Sequence, residues 1–240
     1  MKIYNSNIAR QSKSAKPENF FELPTGSSTN INLLIVVHLL FFALYLFSRW
    51  NGLLSQYWSD GTFNDFVNYD LTSAYTIHNI KWQWFTSIFT YQFVHFKVGE
   101  FFLSISMLWL FGNILKNKIG SLKTLLLYFA FVTLSAMVFN ISHWVFPVFS
   151  GSRGIMDGAF GGVLGIMTIT VFFYGKHQLH VWGNMNFVLW KIYIIAILLS
   201  LIFVYKHNIA YIIVYVSSIY MGIKCAELIK KSELQTDRKV

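Results

Sequence analysis

The feature that most constrains this chain is a recurring absence of charge. Residues 31–48 read INLLIVVHLLFFALYLFS without one Asp, Glu, Lys or Arg. At helical rise such a run covers about 27 Å, most of a hydrocarbon core about 30 Å thick. Inside lipid every backbone N–H and C=O has to find its partner within the chain, which makes helix the natural form for each such run. Five more runs follow. FFLSISMLWLFGNIL at 101–115 is short for a span and starts nearer Val98 once tilt or local thinning of the bilayer is allowed. The third span falls inside the uncharged stretch 124–152, which Pro147 and the small residues of 150–154 interrupt. The fourth covers 158–175, the fifth centres on IYIIAILLSLIFVY at 192–205 and reaches back toward Phe187, and the sixth is IAYIIVYVSSIYMGI at 209–223. The pattern predicts an all-α, polytopic membrane protein, a bundle of six transmembrane helices.

Composition agrees: 55% of the 240 residues are hydrophobic and 12% charged, against about 45–50% and about 25% in soluble domains. The reading divides the chain into an N-terminal tail (1–30), a membrane domain (31–226) and a C-terminal tail (227–240), the last a frayed helix or disordered end. No apolar stretch in 1–30 stands where a cleaved signal would, so the first span is expected to serve as an uncleaved anchor. The net charge of +9 raises the question of nucleic acid. The basic residues, however, lie between apolar runs, where they act as topology signals and contacts for anionic lipid head groups. With the N-terminus inside, 14 of the 19 Lys and Arg face the cytoplasm, leaving Arg49, Lys81, Lys97, Arg153 and Lys206 outside. Both termini are therefore expected to be cytoplasmic, in a plasma (inner) membrane. A single cysteine, Cys225, allows no internal disulfide and no thiolate metal site. No cofactor and no metal are expected.

Residues 49–97 mix sparse charge with Trp50, Trp58, Trp82 and Trp84, as suits a structured loop in the head-group zone. The fourth span opens with GAFGGVLG, in which Gly158 and Gly162, and Gly161 and Gly165, stand four apart. Small residues at that spacing let another helix backbone approach closely, and the sixth span offers Ser217, Ser218 and Gly222 as a counterpart. Spans four and six are predicted to pack tightly together. Taken alone, such a patch indicates packing or dimerisation and no chemistry.

The order of features resembles the rhomboid intramembrane serine proteases over about residues 31–226. TYQFVH at 90–95 precedes the second span, MLWLFG at 107–112 ends it ahead of a basic turn, and GAFGGVLG is similar to the family's GxSGxxxG signature. The resemblance implies a serine nucleophile in that signature and a histidine base on the sixth span, just before its small residues. Aligned on the glycines, the nucleophile position holds Phe160, which has no atom able to attack a carbonyl. Aligned on Ser217, Ser218 and Gly222, the base position holds Tyr215, whose phenol titrates near pH 10 when unperturbed. The family's HxxxN pair, which assists oxyanion binding, falls on Glu100 and Ser104, and a carboxylate there opposes a developing negative charge. All four departures point to lost catalysis.

Other candidates for the chemistry are weaker. Ser152 lies in GSRG, which breaks the helical glycine spacing; Asp157 suits a helix N-cap; His78 and His95 suit local hydrogen bonds in the outer loop. His38, inside the first span, has no acidic partner in view and is expected to be a neutral imidazole bonded to a backbone carbonyl. Ionisable residues suited to an ion path are otherwise missing from the spans, which argues against a transporter. The expectation is a non-catalytic rhomboid-like protein that binds or regulates transmembrane segments of other proteins. Its partners would be membrane proteins and the bilayer, not nucleic acid. The alternative is a rhomboid-type serine endopeptidase with a rearranged site.

Overall fold

The computed structural model describes residues 20–22, 29–50, 73–74, 88–95, 97–145, 155–156, 158–180, 186–204 and 210–237. Six long helices dominate them: α1 (Thr29–Trp50), α2 (Val98–Ile119), α3 (Ser121–Val145), α4 (Phe160–Tyr174), α5 (Leu189–Val204) and α6 (Ala210–Asp237). Each coincides with one of the uncharged runs. Four of them, α1, α2, α3 and α6, are long and apolar enough to cross a membrane, while α4 and α5 are shorter apolar helices.

Helix α4 stands at the centre of the bundle. Every residue of it from Phe160 to Thr170 is buried, and α2, α3 and α6 pack around it. The outer helices instead bury one stripe each. On α1 that stripe is Ile31, Leu34, His38 and Phe42, whereas Leu33, Leu40, Leu44 and Phe47 are exposed as lipid-facing side chains should be. Phe42 stacks on Phe101 of α2, with ring centroids 3.8 Å apart.

Short strands join the connections at the ends of the bundle. β1 (Phe20–Glu22) runs parallel to β4 (Gln178–His180), which pairs antiparallel with β5 (Asn186–Val188). β2 (Ser73–Ala74) pairs antiparallel with β3 (Ile155–Met156). These strands were not foreseen, yet each sheet joins only connections that the charge pattern had assigned to one common side.

Three readings are corrected. First, α6 does not end near Ile223 but continues to Asp237, where Glu233 bonds Lys118 at the end of α2 at 2.9 Å. Second, His38 does not bond a backbone carbonyl: its Nε2 lies 2.9 Å from the Tyr128 hydroxyl of α3. Polar side chains of this kind bind helices together in lipid. Third, Gly158 stands outside α4 with φ +79°, so it and Gly162 are not a helical pair. Ser152, Asp157, His78, Pro147, both chain ends and most of loop 49–97 lie outside the described residues.

Candidate functional site

The site builds outward from the amino end of α4. Gly165 has no side chain because the Phe131 ring of α3 fills the space where a Cβ would point. Gly162 meets Val132 in the same way, and a Cβ on Gly161 would stand 2.6 Å from Ser135 Oγ and 3.1 Å from Val214 Cγ1. On α6, a Cβ on Gly222 would stand 3.1 Å from the Gly165 carbonyl oxygen. The glycines Gly161, Gly162, Gly165 and Gly222 therefore set how closely α3 and α6 approach α4, and the predicted contact between spans four and six is present. Ser218 turns toward α3, with its Oγ 3.3 Å from Ser135 Oγ. Ser217 donates to the Val214 carbonyl of its own helix.

This packing brings Phe160 of α4 and Tyr215 of α6 together in a tilted pair, with ring centroids 5.4 Å apart and planes inclined by 56°. Both rings are buried. The aromatic series continues through Tyr211, 6.5 Å from Tyr215, to Phe139 of α3, 5.3 Å further on. Aromatic pairs at such separations hold together beyond the area they bury. Four aromatic rings from α3, α4 and α6 thus follow one another beside the serine pair.

Glu100 and Ser104 lie one turn apart on α2, and both are buried. Glu100 is directed to the residue that introduces α4: its Oε1 lies 2.9 Å from where a Gly158 Cβ would be. His95 Nδ1 lies 3.4 Å from the same point, and the Gly158 N–H donates to the Val94 carbonyl at 2.8 Å. Glycine at position 158 thus has two reasons: the positive φ and the two side chains that occupy the space of a Cβ. Burial lowers the pKa of His95 to about 3, only partly opposed by the nearby Gln92 backbone, so the ring is neutral.

Chemically the arrangement offers little to a covalent mechanism. Around Phe160 no hydroxyl stands paired with an imidazole among the described residues, and the buried serines Ser135 and Ser218 bond one another. The structure brings together Phe160 and Tyr215, and Glu100 with His95; Ser104 lies one turn deeper. Sequence reasoning overlooked Ser135, Phe139 and Tyr211. The spacing Val132, Ser135, Ala136, Phe139 carries the signal, a helical stripe that is buried throughout.

Comparison with known proteins adds one finding. A profile of the rhomboid domain matches residues 81–226, which include α2 to α5 and α6 as far as Ala226. No curated protein gives a significant match to the chain. The profile covers more than half of the sequence, and with its bundle of apolar helices this integral membrane protein belongs to the rhomboid family.

Proposed function

We propose that this rhomboid-family protein is proteolytically inactive and that it binds or regulates the transmembrane segments of other membrane proteins, with both termini in the cytoplasm. The observation that carries the reading is the buried contact of Phe160 with Tyr215. Acyl transfer needs a nucleophile beside a base, and these two positions instead hold rings that pack on each other. A retained bundle with close glycine contacts still offers a rigid surface for helices in lipid.

Two experiments test it. Crosslinking in native membranes followed by mass spectrometry of the captured proteins should return membrane-spanning partners, and a list without them would remove the helix-binding role. Incubation of the purified chain with a fluorophosphonate probe should leave it unlabelled. Labelling that one Ser→Ala change abolishes would favour the alternative, a serine endopeptidase with a rearranged site.

A further inference from the structure

β1 reaches the bundle as an added strand. It lies parallel to β4, with Phe20, Phe21 and Glu22 across from Gln178, Leu179 and His180. On its other side β4 pairs with β5, and that hairpin is complete without β1. Its base is closed by backbone bonds from the Leu189 N–H to the His177 carbonyl and from the Trp190 N–H to the Gly175 carbonyl, each at 3.1 Å. The hairpin leads from the end of α4 directly into α5, and Leu179, 2% exposed, anchors its first strand in the core. β4 is thus a fixed platform. β1, by contrast, has only three residues and comes from a segment far away in sequence, and parallel pairs are the less stable kind.

Charge favours this occupant as well. The region 176–191 contains Lys176 and Lys191, both exposed, and no Asp or Glu. The segment 17–24, PENFFELP, contains Glu18 and Glu22 and no Lys or Arg. Main-chain bonding along a sheet edge supplies affinity for an extended segment whatever its origin, and side-chain chemistry supplies the choice among segments.

We infer that the outer edge of β4 is a strand-docking site, that β1 is its resident ligand, and that a partner's extended segment of the same chemistry displaces β1. That chemistry is an aromatic centre flanked by carboxylates and lacking basic residues, presented on the side of the membrane where this chain's own N-terminus lies. Exchange releases the N-terminal tail and seats the partner on the link between α4 and α5. The inference goes beyond the reading of a helix-binding protein and stands without it.

The test uses the purified full-length protein in detergent and a fluorescein-labelled peptide of residues 17–24, followed by fluorescence anisotropy. Proline lacks the N–H that a strand donates, so the F20P/F21P double variant removes β1 from the edge. This variant should bind the peptide about tenfold more tightly than the wild type, whose tethered strand competes. A peptide with both glutamates replaced by lysine should bind more weakly, most of all at low salt, and a peptide N-methylated at both phenylalanines should not bind. Equal binding by wild type and double variant would overturn the inference, and so would undiminished binding of the lysine or the N-methylated peptide. A second measurement does not depend on that variant. In F20C/Q178C, with Cys225→Ser, a disulfide should close within one chain, and excess peptide should slow its formation about twofold or more. A rate indifferent to the peptide, or a disulfide that instead links two chains, would overturn the inference.

Discussion

The rings of Phe160 and Tyr215, on helices α4 and α6, meet at 5.4 Å between centroids and are almost completely withdrawn from solvent and lipid. Truncating Phe160 therefore opens a cavity beside Tyr215. Phe160→Ala is expected to destabilise the bundle by about 3–5 kcal/mol, and Phe160→Leu by clearly less. Unfolding in mixed micelles, followed by tryptophan fluorescence, measures both.

Returning the two side chains that the family's chemistry uses should not return the chemistry. In the F160S/Y215H double variant the buried side chain of Glu100 still stands against Gly158, and a carboxylate at that position opposes an oxyanion intermediate. No cleavage of a transmembrane reporter in liposomes is expected from this variant. Turnover by it, without a change at Glu100, would contradict the role given to that side chain.

Glycine contacts on α4 predict a contrast between two positions. At Gly165 a methyl group would collide with the Phe131 ring, so Gly165→Ala should cost about 1–3 kcal/mol through displaced packing. At Gly120 nothing lies within 4 Å, but φ is +91°. Gly120→Ala meets backbone strain alone, about 1–3 kcal/mol at φ +91° and ψ 155°, with no neighbour to displace. A Gly165→Ala protein as stable as the wild type in thermal unfolding would show that close approach at α4 is not what Gly165 provides.

His95 gives a dependence on pH. Its folded pKa is lowered to about 3 because burial disfavours the charged ring, whereas in the unfolded chain it titrates near 6.5. Between those values the unfolded state binds more protons, so stability falls as pH drops below about 6.5 and continues to fall toward 3. The slope from this one group is at most about 1.4 kcal/mol per pH unit. Glu100 and His38 face the same region. Between pH 7 and pH 5 the wild type should lose melting temperature relative to His95→Gln, whatever the difference between them at pH 7.

The bond from Lys118 to Glu233 joins α2 to the far part of α6, with the two side chains 29% and 40% exposed. Water and salt screen such a pair, and Glu233→Ala should cost less than about 1 kcal/mol, shrinking further at high salt. Lys118→Ala should cost slightly more, because the ammonium group also lies 5.3 Å from the Phe173 ring centroid. Paired melts at low and high salt distinguish the two contributions.

The helices were legible in the sequence because lipid leaves the backbone so few options: a run without charge, long enough to cross, becomes a helix. Legible too was the approach of α4 and α6, since Gly161, Gly165 and Gly222 are spaced for it. The end of α6 was not. Beyond Ile223 the residues become charged, and polarity alone does not separate a solvated helix from an unstructured tail; the contact that decides, Lys118 with Glu233, joins residues far apart in sequence. The partner of His38 was hidden for a similar reason, as Tyr128 lies 90 positions away. At the candidate site, Phe160, Tyr215, Glu100 and Ser104 were located by resemblance. The crowding of Gly158 by His95 and Glu100 depends on a turn that no spacing rule encodes.

One more consequence follows from the sheltered position of α4. Bilayers differ in thickness, and the resulting stress acts on whatever surface the acyl chains touch. Here that surface belongs to the helices that surround α4, whose residues from Phe160 to Thr170 are all enclosed by protein. Moving the protein between thin and thick membranes would tilt its outer wall and leave its axle unloaded.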